Sequence, residues 1–177
     1  MKYFIWTLGC QMNKSDAERI ISVLENLGYK LVSKESEADL ILVVACSVRQ
    51  SAIDRIYGKA QEWQKIKEKR PLITILSGCV LDADKPKLEK YFDIIFEVSD
   101  LPKLPKILSK KLSNLTTYKT NNYFKIHPNY QSSFQAYIPI STGCNNFCSY
   151  CVVPYTRGRE VSRPADEIIV EVRNLIA

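Results

Sequence analysis

The feature that most constrains the fold is the continuous apolar run Leu40–Ala45, in which no polar residue alternates with the hydrophobic ones. A strand with one buried face alternates, whereas a strand of a parallel sheet is covered on both faces and is apolar throughout. Helical patterns stand on either side of the run, at about Ser15–Leu27 and Gln50–Lys69. The run therefore predicts an α/β fold, with an open, mostly parallel sheet flanked by helices.

The rest of the first hundred residues repeats this alternation of strand and helix. Ser15 and Glu18 match a capping box at the start of the first helix. The other predicted strands are Lys2–Leu8, Tyr29–Ser33, Leu72–Leu76 and Asp93–Val98, and the other predicted helices are Lys85–Tyr91 and Leu101–Lys111. We therefore predict an N-terminal α/β domain over residues 1–111.

The composition changes in the second half of the chain. Polar residues dominate residues 112–134 and the hydrophobic periodicity is lost, so we predict a linker that holds the single histidine, His127, as a solvated loop residue. A strand at Ala136–Ile140 and a helix at Ala165–Ile176 are predicted beyond it. Since a parallel barrel needs about 200 residues or more, we expect residues 135–177 to be an incomplete second domain and the chain to be a fragment.

Hydropathy and charge narrow the function classes. The longest apolar run is far shorter than the roughly 20 residues that span a bilayer, and Tyr3–Leu8 lacks the flanking pattern of a signal peptide. We therefore expect a cytoplasmic protein without a membrane partner, whose six cysteines are ligands or catalysts rather than disulfides. We also expect a monomer, although nothing in these patterns determines the oligomeric state. The net charge of +6 is compatible with a polyanionic partner such as RNA.

Cys144, Cys148 and Cys151, here called the loop cysteines, form a C-x3-C-x2-C motif with Tyr150 directly before the last cysteine. Three thiolates on one short loop can hold three irons of a 4Fe–4S cluster and leave the fourth iron open. A zinc knuckle is the alternative, but zinc sites use paired C-x2-C units and four ligands. The motif therefore predicts a cluster whose open iron binds S-adenosylmethionine.

Cys10, Cys46 and Cys79, here called the rim cysteines, share one context, because each follows a predicted strand and one small residue. Each should therefore lie at the carboxyl end of a parallel strand, the edge of an open α/β sheet where ligands bind. Three thiols at one edge can hold a second 4Fe–4S cluster with an open iron. A buried apolar cysteine is the better interpretation of any single one, but three in equivalent positions favour a metal site.

Three arginines follow the loop cysteines within seven residues, namely Arg157, Arg159 and Arg163. Guanidinium groups contact phosphates and stack on bases, so these side chains are candidates for RNA contact. They can equally pair with acidic residues or cap the cysteine loop, and the residues alone leave both roles open.

Several motifs in this order resemble the radical S-adenosylmethionine methylthiotransferases: Thr7–Asn13, Ala45–Arg49, Ser77–Cys79 and Gly143–Cys148. The continuation Tyr150–Tyr155 with Arg157–Glu160 resembles the tRNA branch of that family. The resemblance covers the whole chain and all six cysteines. Leu8 stands where an aromatic residue is common and Ala45 where threonine is usual, but neither is a ligand.

The resemblance implies tRNA modification by a transferase with two 4Fe–4S clusters and S-adenosylmethionine. The cluster on the loop cysteines would generate a 5′-deoxyadenosyl radical that attacks C2 of N6-isopentenyl-adenosine at position 37, next to the anticodon. The cluster on the rim cysteines would supply the sulfur of the 2-methylthio product. The implied partners are the isopentenylated anticodon loop of tRNA and an electron donor such as flavodoxin or ferredoxin. Because the family's enzymes also have a complete barrel and a small RNA-binding β domain, we expect this chain alone to be inactive.

Two other functions remain open at this point. Sister branches of the family modify an aspartate of a ribosomal protein or threonylcarbamoyl-adenosine in tRNA. A non-catalytic RNA-binding module, stabilised by a metal, is the alternative from another class.

Overall fold

The computed structural model describes residues 1–111 and 122–176. Its strands are β1 (Lys2–Thr7), β2 (Lys30–Leu31), β3 (Leu40–Cys46), β4 (Ile73–Cys79), β5 (Ile94–Ile95), β6 (Ser141–Thr142) and β7 (Val161–Ser162). Its α-helices are α1 (Gln11–Asn26), α2 (Gln50–Lys67), α3 (Lys85–Leu88), α4 (Leu104–Lys111), α5 (Val153–Arg157) and α6 (Ala165–Ile176). Three short 3-10 helices, at Glu35–Glu37, Val98–Lys103 and Tyr123–Lys125, complete the described elements.

Five strands form one sheet in the order β2-β1-β3-β4-β5, and every neighbouring pair is parallel. Strand β3 lies at the centre and is buried along its whole length. In the register, Thr7 of β1 pairs with Val44 of β3, and Cys46 of β3 pairs with Cys79 of β4. The carboxyl ends of β1, β3 and β4 therefore lie side by side, and the predicted α/β sheet is confirmed.

Both faces of this sheet are covered, as the continuous apolar run predicts. Leu42 packs with α1 and α4 on one face, and Val43 packs with α2 and α3 on the other. Trp63 of α2 is fully packed, with its ring edge-on to Trp6 at a centroid distance of 6.2 Å. Within the described ranges, no helix is long and apolar enough to cross a membrane.

The predicted capping box at Ser15 and Glu18 is wrong. Helix α1 begins at Gln11 with Cys10 at its N-cap, and no side chain caps it. The Ser15 hydroxyl instead donates to the carbonyl oxygen of Tyr137 at 3.1 Å and accepts from Arg19 at 2.7 Å. A tertiary partner 122 residues away thus uses the hydroxyl that the local pattern assigns to the helix end.

The second half of the predicted linker is not a free connector. Residues 112–121 lie outside the described residues, but Tyr123, Phe124 and Ile126 are buried in the same apolar cluster as α1, while His127 is exposed. The strand predicted at Ala136–Ile140 does not form. A short antiparallel pair of β6 and β7 follows that segment instead.

Candidate metal centres

The rim cysteines lie at the carboxyl ends of adjacent strands, where the sequence places them. Cys46 and Cys79 are the last residues of β3 and β4, and Cys10 lies between β1 and α1. Cys46 and Cys79 are buried and Cys10 is exposed, and all three are free thiols. The rim is therefore a row of sulfur donors that begins under the protein surface and opens to solvent at Cys10.

Asn13, in the first turn of α1, ties the rim together. Its Nδ2 donates to the carbonyl oxygens of Leu8 and Ala45, each at 2.7 Å, and so joins the ends of β1 and β3. Its Oδ1 lies 4.0 Å from the sulfur of Cys10 and 3.8 Å from that of Cys79. This side chain is completely buried. The sequence motif contains Asn13, but nothing local distinguishes it from an ordinary helix residue.

Two of the small residues before the rim cysteines are glycines with positive φ, at +117° for Gly9 and +103° for Gly78. A Cβ atom on Gly78 would overlap the carbonyl oxygen of Ala45, and one on Gly9 would lie 2.9 Å from the Cβ of Cys46. Only glycine adopts this backbone without strain and leaves the space free. The glycines therefore allow the strand ends to approach closely enough to bring the rim cysteines together.

The loop cysteines lie between β6 and α5 on a mostly exposed turn. The amide of Cys151 donates to the carbonyl oxygen of Cys148 at 3.0 Å, and the amide of Cys144 donates to that of Gly158 at 3.1 Å. Cys148 is exposed and the other two are half-buried, while Tyr150 is 88% exposed. The loop is thus closed by its own backbone and leaves its sulfurs accessible.

Arg157, at the end of α5, connects this loop to the rim. Its Nε donates to the sulfur of Cys79 at 3.0 Å, and its Nη2 donates to Oδ1 of Asn13 at 3.0 Å and to Asp16 at 2.6 Å. The side chain of Arg157 is only 7% exposed, and that of Asp16 is fully buried. The segment after the loop cysteines is therefore anchored at the rim, beside Cys79 and the first turns of α1.

The charges around Arg157 set the protonation of its neighbours. Burial raises the pKa of the Cys79 thiol, and the Arg157 guanidinium beside it opposes that shift. Burial alone would lower the pKa of Arg157, but Asp16 and Cys79 raise it above its ordinary value. Tyr123 donates to Asp16 at 2.6 Å, and burial together with that carboxylate raises the pKa of Tyr123 well above its ordinary value. Arg157 is therefore a permanent buried cation with a carboxylate and a sulfur as its neighbours.

The three arginines considered for RNA contact occupy different environments. Arg157 and Arg163 are buried in ion pairs, and Arg163 binds Glu171 of α6. Arg159 is exposed, and its guanidinium carbon lies 4.4 Å from the ring centroid of Phe147, whose ring is edge-on to Tyr155. Of the three, Arg159 has the accessible charge and aromatic surroundings that RNA contact needs, so this prediction now concerns Arg159.

Helix α6 is attached to α1 by a buried carboxylate. Glu171 accepts hydrogen bonds from Tyr130 and from Arg19 of α1, and forms an ion pair with Arg163. Burial alone would raise the pKa of Glu171, but these donors and the two positive charges hold it below its ordinary value. Helix α6 is therefore docked on α1 through charged contacts, in addition to the contact that Arg157 makes at the rim.

The rim fits a metal–sulfur cluster by its donor set. Sulfur atoms are the ligands of iron–sulfur clusters, and the three strand ends present them at one edge. Among the described residues no three histidine, cysteine or acidic side chains are arranged to hold a metal ion. Nη1 of Arg157 is buried and has no hydrogen-bond partner among the described residues. The sulfur donors of the rim and the cation beside Cys79 suit a negatively charged iron–sulfur cluster.

The fold and the rim together define an α/β domain with a cysteine-lined sheet edge. Residues 2–98, more than half of the chain, match the family model described as uncharacterized protein family UPF0004. The chain belongs to this family.

Curated relatives carry an enzyme name. The chain is 42% identical, over 98% of its length, to the tRNA-2-methylthio-N(6)-dimethylallyladenosine synthase of Dictyoglomus thermophilum. It is 41% identical over its full length to the enzyme of the same name from Syntrophomonas wolfei, and 38% identical over 99% to that from Carboxydothermus hydrogenoformans. The chain spans 42% of the length of each of these relatives. The predicted resemblance to the tRNA branch of the methylthiotransferases is confirmed.

Proposed function

We propose that this chain belongs to a radical S-adenosylmethionine methylthiotransferase that converts N6-isopentenyl-adenosine at position 37 of tRNA to its 2-methylthio derivative. One observation carries the proposal beyond the names of the relatives. Arg157, which closely follows the loop cysteines, contacts Cys79 of the rim. This contact brings the segment after the loop cysteines to the rim, which supports a reaction that uses both cysteine sets.

In this proposal the loop cysteines hold one 4Fe–4S cluster, with Tyr150 beside the S-adenosylmethionine site, and the rim cysteines hold the other. When bound, these groups and S-adenosylmethionine supply the radical, the methyl group and the sulfur. The protein's residues do the positioning: Asn13 joins the strand ends under the rim, and Arg157 keeps the loop segment against it. The exposed loop leaves one side free for the base and for an electron donor of the flavodoxin or ferredoxin type. We assign the protein to the cytoplasm as a monomer.

Anaerobic reconstitution followed by iron and sulfide analysis tests the cluster assignment. Two clusters give about eight irons per chain. Replacing the three loop cysteines by alanine, and separately the three rim cysteines, should each remove about four irons. Zinc without iron would contradict the assignment and favour a metal-stabilised RNA-binding module instead.

The substrate is tested by the modified nucleosides of a strain that lacks the gene. We expect the 2-methylthio nucleoside to disappear and N6-isopentenyl-adenosine to accumulate. The wild-type gene should restore the product, and a Cys79→Ala gene should not. Loss of methylthiolation from a ribosomal protein aspartate, with normal tRNA, would identify the sister branch instead.

For the isolated 177-residue chain we expect no turnover. Substantial methylthiolation of tRNA by this chain would contradict that expectation.

A further inference from the structure

We propose that Arg157 is a positioning residue for the rim site, which sets the reduction potential of the cluster bound there by donating a hydrogen bond to the sulfur of Cys79. The inference rests on the proposed function, because it assumes that the rim cysteines bind a cluster. It goes beyond that function by assigning a role to a residue that is not itself a ligand.

The first argument is the geometry of the guanidinium. Three acceptors surround it at hydrogen-bond distance: the sulfur of Cys79 at 3.0 Å, Oδ1 of Asn13 at 3.0 Å and Oδ2 of Asp16 at 2.6 Å. A planar fork with several fixed donors can satisfy acceptors in different directions at once, whereas the ammonium of lysine is a point charge on a flexible stem. The orientation of Arg157 toward Cys79 is thus determined by Asn13 and Asp16.

The second argument is the burial of the charge. Removing a cation from water costs several kcal/mol, and an ion pair repays this only when its geometry and further hydrogen bonds are good. Arg157 has one carboxylate partner, Asp16, and that carboxylate also accepts from Tyr123. Nη1 of Arg157 has no partner within the described residues. A 4Fe–4S cluster held by three thiolates carries net negative charge, so the buried cation of Arg157 is better compensated beside a bound cluster than beside the free thiols.

The third argument is the position of Arg157 in the chain. It ends α5, the helix that follows the loop cysteines, and it reaches a residue 78 positions earlier in the sequence. Its contacts with Asp16 and Asn13 hold that helix against the first turns of α1. One side chain therefore both orients a donor toward the rim and holds the loop segment close to it.

The consequence is electrostatic. Hydrogen bonds to the cysteine sulfurs and nearby positive charge are among the factors that set the potential of an iron–sulfur cluster. Both favour the reduced form, which carries the additional electron. Removing the guanidinium should therefore lower the reduction potential of the rim cluster.

The experiment uses the full chain with Cys144, Cys148 and Cys151 replaced by alanine, so that only the rim can bind a cluster. After anaerobic reconstitution, the midpoint potential is measured by an EPR-monitored redox titration, together with iron and sulfide content. We expect Arg157→Gln to disfavour reduction at least tenfold, which is about 59 mV for a one-electron couple. Arg159→Gln is the matched control, because this exposed arginine is two residues away and is stacked on Phe147. It should leave the potential unchanged.

The outcomes separate the inference from the proposed function. The parent chain is the one with the three loop cysteines replaced by alanine. If it binds no iron, the rim assignment fails and the inference fails with it. If the parent and Arg157→Gln both bind the cluster with equal potentials, only the inference is overturned.

If Arg157→Gln binds no cluster, the potential is measured in Arg157→Lys instead. Lysine keeps the positive charge but lacks the planar guanidinium with its several fixed donors. A lowered potential in the lysine variant supports the inference and a wild-type potential overturns it. If both variants bind no iron but keep a wild-type circular dichroism spectrum, Arg157 is required for cluster binding rather than for its potential, which overturns the inference. Unfolding of both variants overturns it, because the residue would then be a general structural one.

Discussion

The guanidinium of Arg157 donates to the sulfur of Cys79 at 3.0 Å across 78 residues of sequence. This contact joins helix α5, which follows the loop cysteines, to the sheet edge that carries the rim cysteines. It is supported by Asp16, which is fully buried and pairs with the same guanidinium. The contact thus brings the segment that follows the loop cysteines to the rim, and the ion pair that supports it is the first target for a test.

In the metal-free protein, Asp16→Asn should strongly lower the free energy of unfolding. The change leaves the Arg157 cation buried without its carboxylate, and breaking a buried pair from one side costs about 3–5 kcal/mol. The free energy of unfolding in urea measures this. Asp82→Asn is the control, because Asp82 pairs with Lys85 at the surface and such pairs contribute little. Equal effects of the two substitutions would contradict the importance of the buried pair.

Gly78→Ala should destabilise the fold and impair cluster binding at the rim. The backbone of Gly78 has a φ of +103°, and a Cβ would overlap the carbonyl oxygen of Ala45 in the neighbouring strand. Strain of this kind costs about 1–3 kcal/mol before the steric overlap is added. Thermal unfolding and the iron content after reconstitution report the two effects.

Gly58→Ala is the matched control for that substitution. Gly58 lies inside helix α2, and a Cβ there would meet nothing within 4 Å. Alanine in a helix interior is favoured over glycine by about 0.5–1 kcal/mol, so this variant should be slightly more stable than wild type. A stabilising Gly78→Ala substitution would show that the strand end does not need the glycine.

Glu18→Gln should stabilise the protein at neutral pH. Burial raises the pKa of Glu18, although the amide of Gln131 and the charges of Arg19 and Lys14 oppose the shift. The pKa of Glu18 is higher in the folded than in the unfolded state, so folding favours the protonated form. The contribution of Glu18 to stability therefore falls as the pH rises from the unfolded pKa through the folded one. At pH 7 the carboxylate therefore costs stability, and the neutral amide removes that cost.

The pH dependence of the stability gained by Glu18→Gln tests this prediction. Below the unfolded pKa of about 4.3 both states of the wild type are protonated, so the difference from Glu18→Gln should vanish. Melting temperatures measured from pH 4 to pH 8 show whether the gain grows with pH. Glu68→Gln, at an exposed position, should show no such trend. A gain for Glu18→Gln that is largest in acid would contradict the sign.

Arg159→Ala should weaken RNA binding and leave the fold intact. Arg159 is exposed beside Phe147, so its loss removes one phosphate or base contact. We expect weaker binding of an isopentenylated anticodon stem–loop, measured by fluorescence anisotropy, with a salt slope lower by about 1 if the contact is to phosphate. Arg173→Ala, an exposed arginine on α6, is the control. Equal weakening by both would indicate non-specific charge attraction.

The local pattern of the sequence was sufficient for the sheet. The continuous run at β3 indicates a strand covered on both faces, because every position in a parallel central strand meets apolar neighbours. The position of the rim cysteines follows from the same pattern. In a parallel sheet all strands point the same way, so residues that follow strands meet at one edge, as Cys46 and Cys79 do in register.

The local pattern failed where a distant partner decided the structure. Ser15 looks like a helix cap but bonds to the backbone of Tyr137 in the second half of the chain. Residues 122–126 look like a polar linker, yet Phe124 and Ile126 pack into the core. Periodicity reports only which residues share a face of one element. It contains no information on contacts between elements far apart in sequence.

The amino-acid sequence by itself determined the parallel α/β sheet, the two sets of three cysteines and the family resemblance, because strand patterning and motif spacing are local properties. Only the tertiary structure decided which of the three arginines is exposed and which reaches the rim. The sequence alone does not distinguish Arg157, Arg159 and Arg163, because all three are the same residue type. A charge is stable in the interior only beside a compensating group. Asp16 and Glu171 provide that compensation for Arg157 and Arg163 and leave Arg159 at the surface.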